Sequence, residues 1–148
     1  MMASGLLPDT AAPLTAPFWS ALNEGRLSAQ RCTTCGYLRW PPSELCPECM
    51  RPGAAWETLR GTGTVWSYAV YRRAMHPALA DAVPYTVAVI DLPEGIRVLG
   101  TVLTSTGDAD ADGEVRIGDA VSAVFEEVAP DQAMVRWIPA AQGPRGIA

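Results

Sequence analysis

Lysine is absent from this 148-residue chain. All eleven of its basic side chains are arginines, set against sixteen Asp and Glu, for a formal net charge of −5. A molecule of that sign does not draw nucleic-acid phosphates or anionic lipid toward itself over long range. Histidine is nearly absent as well: His76 is the only one, which leaves little material for acid–base chemistry. No apolar run approaches the length of about 18 residues that a membrane-spanning helix needs, so no membrane association is expected. The opening MMASGLLPDTAAP contains no basic residue to form the n-region of a signal peptide, and the expected location is cytoplasmic. The chain does have apolar material: hydrophobic residues make up 49% of it, enough for a real core.

Cysteine is scarce and confined. The four thiols fall in two pairs, Cys32/Cys35 in RCTTCGY and Cys46/Cys49 in LCPEC. Disulfides would suit a small secreted scaffold, but this chain is large enough to fold without such staples. A redox-active CxxC needs one pair, not two. Two CxxC turns ten residues apart can instead converge into the tetrahedral all-sulfur shell that zinc prefers, with iron as an alternative occupant of the same ligands. Gly36 fits this reading, because a residue just past the knuckle has to tolerate positive φ while backbone N–H groups turn toward sulfur. Four protein ligands leave no open position, so the metal is expected to be structural and to supply the stability of a ribbon with little core of its own.

Ahead of the ribbon, APFWSALNEGRL reads as a short amphipathic helix with Pro17 in its first turn and Phe18, Trp19 and Leu22 on its apolar side. Helices this short are marginal alone, so Phe18 and Trp19 must pack on their own domain or on a partner. Behind the ribbon the period changes to that of strands. GTGTVWSYAVYR, PYTVAVIDL, GIRVLGTVL, DAVSAVFEEV and AMVRWIP make five. The alternation in the first suggests a strand covered on both faces. The expected fold is therefore mainly β: a short N-terminal helix and four-cysteine zinc ribbon followed by a five-stranded OB-fold barrel. The expected divisions are a flexible N-terminus over 1–16, helix and ribbon over 17–60, barrel over 61–140 and a tail over 141–148. The acidic segment TSTGDADADGE, 104–114, is expected to be an exposed loop.

The succession FWSALNEGRL, CTTCGYLRWPP, CPEC, GTGTVWSY, PYTVAVIDLPEG and IGDAV resembles the family known as domain of unknown function 35 (DUF35), from about Pro17 to Pro139. The resemblance implies an N-terminal helix, a rubredoxin-like zinc ribbon and an OB-fold. It also implies a place in acyl-CoA metabolism as a non-catalytic partner of thiolase-like or hydroxymethylglutaryl-CoA-synthase-like enzymes, including retro-aldolases of steroid side-chain degradation. The residues agree with an accessory role, since the thiols are committed to metal and one histidine remains. The chain is thus expected not to be an enzyme by itself, and to form a heteromer with a thiolase-like enzyme, with acyl-CoA at the shared interface. Phe18, Trp19, Arg39 and Trp40 are the candidate partner anchors, because aromatics and arginine dominate interface hot spots. Arg72 and Arg73 are candidate contacts for the CoA phosphates. No catalytic residue is assigned. OB-folds and zinc ribbons also bind nucleic acid, and that is the alternative function. Charge argues against it: from Gly61 onward six arginines face eleven acids.

Overall fold

The computed structural model describes residues 6–103 and 115–140. The expected acidic loop and the C-terminal tail lie outside the described residues. Helix α1 spans Ala16–Asn23 and buries Phe18, Ala21 and Leu22. A three-stranded antiparallel sheet follows, from β1 (Ser28–Cys32), β2 (Leu38–Arg39) and β3 (Ala54–Thr58), in the order β2-β1-β3. The remaining strands are β4 (Thr62–Tyr71), β5 (Tyr85–Asp91), β6 (Arg97–Val102), β7 (Ala120–Ala129) and β8 (Gln132–Pro139), and they close a barrel in the order β4-β5-β6-β8-β7. All five expected barrel strands are present. Closure comes from β7 pairing back onto β4 at Thr62–Thr64, and from a short parallel contact of β6 with β8, Thr101 to Arg136 and Val102 to Trp137. Among the described residues, no helix is long and apolar enough to cross a membrane.

The inward positions follow the strand period of two. On β5, Thr86, Ala88 and Ile90 are buried while their neighbours are only half-buried. Trp137 on β8 is fully buried and fixes the thickness of the barrel, because a Cβ added at Gly100 on β6 would stand 2.5 Å from its ring.

Two expectations need correction. The ribbon does have a core, and it shares that core with the barrel. Phe18, Leu22, Leu27, Ala29, Leu38 and Leu59 belong to one buried cluster with Val65, Ile90, Val98, Val121 and Trp137. The cause is α1, which lies across the end of the β7–β8 hairpin. There the Asn23 amide donates to the Asp131 carbonyl at 2.7 Å and accepts from the Ala133 N–H at 2.7 Å. The chain ahead of the helix joins in, as Gln132 Nε2 donates to Thr10 Oγ1 at 3.4 Å. The second correction concerns β4, which is not covered on both faces. A bulge between Val65 and Ser67 breaks its register with β5. Trp66 and Tyr71 are exposed on the outer face, and Tyr68, which pairs with inward Ala88, is exposed on the other. Alternation alone does not reveal that, among the described residues, nothing lies over the outer face of the sheet.

Candidate metal centre

Each CxxC pair sits on a tight turn closed by backbone hydrogen bonds. In the first knuckle the Cys32 N–H donates to the Tyr37 carbonyl at 2.9 Å and the Gly36 N–H to the Cys32 carbonyl at 3.0 Å. In the second, the Cys46 N–H donates to the Arg51 carbonyl at 3.0 Å and the Met50 N–H to the Cys46 carbonyl at 2.8 Å. The two knuckles are thus the same turn built twice. Gly36 holds the required positive φ of 77° in one, and Met50 holds 58° in the other. Sequence reasoning found the glycine and missed Met50. A non-glycine residue in the left-handed region shows only once the turn is built.

The four Sγ atoms all lie within 4.8 Å of one another. Cys32 and Cys49 stand 3.7 Å apart across the knuckles, and so do Cys35 and Cys46. Those separations are far from the S–S bond of about 2.05 Å. They match the edge of a tetrahedron with metal–sulfur bonds of about 2.3 Å, which is about 3.8 Å. The donor set and its spacing therefore fit a metal ion.

Electrostatics point the same way. Backbone N–H groups of Cys35 and Thr34 aimed at the Cys32 sulfur pull its pKa down to about 6. At Cys35 the N–H of Tyr37 acts in that sense too. Desolvation and hydrogen bonds to the other sulfurs outweigh it and push the thiol up to about 12. Clustered thiols cannot all ionise beside one another unless a cation joins them.

The knuckles are tied to the sheet by arginine. Arg31 on β1 forms a two-pronged ion pair with Glu57 on β3, one prong at 2.9 Å, and donates to the Gly36 carbonyl at 2.7 Å. Arg39 lies inside the chain, 4% exposed. It donates to Gln30 Oε1 at 2.9 Å and to the Ser43 carbonyl at 3.0 Å, which fixes the WPPS segment between the knuckles.

This placement corrects the list of candidate partner anchors. Phe18, 6% exposed, packs edge-on against Trp19 with centroids 5.1 Å apart and lies 6.5 Å from Trp40. Phe18 and Arg39 are interior residues and present no surface to a partner. Trp19 and Trp40 are half-buried and keep some outer surface. Arg72 and Arg73 are exposed just past the end of β4. His76 caps a single 3-10 turn over Pro77–Leu79, its Nδ1 accepting from the Ala78 N–H at 3.1 Å.

Comparison with known proteins places this architecture. Residues 19–53 match the family description of the ChsH2 rubredoxin-like zinc ribbon domain, and residues 56–126 match that of the ChsH2 C-terminal OB-fold domain. A DUF35 domain-containing scaffold protein of Methanothermobacter thermautotrophicus is 36% identical over 69% of this chain and 73% of its own length. A probable enoyl-CoA hydratase alpha subunit of Thermomonospora curvata is 35% identical over 83% of this chain. The chain spans 37% of that subunit's length, and the same share of a 3-oxo-4,17-pregnadiene-20-carboxyl-CoA hydratase alpha subunit of Mycobacterium tuberculosis. Among solved structures, a chain of the Ltp2-ChsH2(DUF35) aldolase superposes with a TM-score of 0.74 at 30% identity, covering 89% of this chain and 98% of that one. A DUF35 protein of Sulfolobus solfataricus shares the fold, with a TM-score of 0.58 at 17% identity. With a zinc-ribbon match over 19–53 followed by an OB-fold match over 56–126, and 36% identity to a DUF35 scaffold protein over 69% of its length, the chain belongs to the DUF35 family.

Proposed function

We propose that the protein is a non-catalytic accessory subunit that docks on a thiolase-superfamily enzyme and supports acyl-CoA binding or the stability of the complex. The enzyme is a thiolase, a retro-aldolase or a hydroxymethylglutaryl-CoA-synthase-like protein acting on steroid or lipid side chains. One observation carries this reading: the likeness to the solved chain named in an aldolase with Ltp2 extends over 98% of that chain. Relatives named as scaffold proteins and as alpha subunits of CoA-ester hydratases support it from two sides. Arg72 and Arg73 are the residues assigned to the CoA phosphates, because a guanidinium grips phosphate through paired N–H donors.

The ion at the four cysteines is assigned as zinc. Held by four thiolates it has no open coordination position, so it orders the ribbon and takes no part in bond-making. The acyl-transfer or aldol chemistry belongs to the partner.

Co-expression with the thiolase-superfamily enzyme of the same genome, followed by size-exclusion chromatography, tests the proposal. A stable heteromer whose enzyme loses activity when this chain is omitted is the expected result. Two proteins that migrate separately and an enzyme indifferent to this chain would refute it.

The exposed Trp66, Tyr68 and Tyr71 on an OB barrel favour one other reading, stacking of single-stranded nucleic acid. Such platforms work beside a basic groove, whereas here the net charge is −5. Fluorescence anisotropy with single-stranded DNA and RNA at physiological salt is expected to show no tight binding.

A further inference from the structure

The outer face of the sheet formed by β4, β5 and β6 is mostly apolar where a solvated antiparallel face is ordinarily polar. Strand register sets Ser67, Val89 and Leu99 in one row and Ala69, Val87 and Thr101 in the next, with Tyr71 beside Tyr85 at the end. Leu99 is 55% exposed and Trp66 is 48% exposed. The rings of Tyr71 and Tyr85 stack with centroids 5.0 Å apart and planes 2° from parallel. At the opposite end the Arg97 guanidinium covers the Trp66 ring at 4.0 Å, and its Nε donates to Asp91 at 2.7 Å. Beyond Arg97 the face runs into a groove between barrel and ribbon whose exposed walls include Tyr37, Pro41 and Pro47.

The charges of this face cancel locally. Arg97 is paired with Asp91, and at the β8 margin Arg136 Nε donates to Glu126 at 2.7 Å. On a molecule with a net charge of −5 the face is a neutral island. Arg72 and Arg73 stand at its rim, where the chain leaves the end of β4.

We infer that this face docks an uncharged apolar patch of a partner protein, with Trp66 as its anchor. The inference rests on the accessory-subunit reading and names the surface that reading requires, now that Phe18 and Arg39 are interior. Charge selects the occupant. Nucleic acid or an anionic membrane would call for unpaired cations across the face, and the arginines on the face and at its β8 margin, Arg97 and Arg136, already sit on carboxylates. An apolar protein surface calls for none. Tryptophan, tyrosine and arginine are also the side chains that concentrate binding energy at interfaces. Arg97 holds the Trp66 ring in place beforehand, so docking costs little side-chain entropy.

The test takes the metal-loaded full chain and the thiolase-superfamily enzyme of its own genome, and measures their affinity by isothermal titration. Leu99→Asp places a charge in the middle of the face, and Trp66→Ala removes the anchor. Both side chains are about half exposed, and thermal melting with bound-metal content verifies that each variant is folded. Glu127→Gln on β7 is the control away from the face. Each face variant is expected to bind about tenfold more weakly or worse, and the control unchanged. Folded face variants that keep full affinity would overturn this inference while leaving the accessory role standing. An unsubstituted chain that binds no such enzyme would remove both. Sedimentation of the isolated chain adds a further check: a dimer that Leu99→Asp dissociates would assign the face to a second copy and overturn the proposal. Binding of single-stranded DNA that Trp66→Ala abolishes would overturn it as well.

Discussion

Phe18 shows how one residue's role depends on what lies over it. From sequence it is an aromatic on a short helix, which packs either on its own domain or on a partner. In the fold it touches Trp19 and the ring of Trp40 from the segment between the knuckles, and is 6% exposed. Phe18→Ala is therefore expected to cost the chain about 3–5 kcal/mol of its own stability, as truncation of a buried phenylalanine does. Chemical denaturation followed by circular dichroism measures this, and an unchanged midpoint would return Phe18 to the surface. The cysteines give the second prediction at this scale. The purified protein should carry about one zinc ion per chain by elemental analysis, and Cys46→Ser should lose it, because the buried Cys46 sulfur is one corner of the tetrahedron. Iron in place of zinc, or a metal-free folded chain, would contradict the assignment.

Among the elements, α1 matters most for how the molecule is joined. An isolated helix of eight residues is not stable in water. It persists here because Phe18 and Leu22 on its apolar side pack into the core shared with the barrel and Asn23 pins its C-terminus to the β7–β8 turn. Asn23→Ala removes an acceptor and a donor together. A loss of about 1–2 kcal/mol is expected in a denaturant melt, somewhat reduced because the site is exposed to water. The contact of β6 with β8 is tested at Gly100. A methyl group there would meet the Trp137 ring at 2.5 Å, and Gly100→Ala should destabilise the barrel by about 1–3 kcal/mol through overpacking. Equal stability would mean that Trp137 can shift, which its complete burial argues against.

At the scale of the molecule, the shared core joins metal to barrel. Because Ala29 and Leu38 of the ribbon sheet, and Leu27 just ahead of it, pack in the same cluster as Ile90 and Trp137, stripping the ion with a chelator should lower the melting temperature of one cooperative transition. A calorimetric scan that splits into two transitions, ribbon and barrel, would show that the shared core does not couple them. Acid should act in the same direction. The metal-bound fold holds its cysteines as thiolates, whereas thiols of the unfolded chain are protonated below about pH 8.5. The unfolded state therefore binds more protons, and stability rises toward that pH and falls as pH is lowered. Zinc release followed with a colorimetric chelator along a pH series measures it.

The sequence by itself determined the elements whose signals are local. Cys32, Cys35, Cys46 and Cys49 announced a four-ligand centre because ligand spacing along the chain fixes the two turns that hold them. The five barrel strands were legible because inward and outward residues alternate with the backbone pleat. What required tertiary structure was every property set by what packs from elsewhere. The interior places of Phe18 and Arg39, the common core of ribbon and barrel, and the open outer face bearing Trp66 and Leu99 all depend on α1 crossing to the β7–β8 hairpin and on nothing in the described chain covering β4 to β6. Burial is a relation between segments distant in sequence. A pattern read along one segment reports which face is apolar, and only the assembled fold decides whether that face is core or surface.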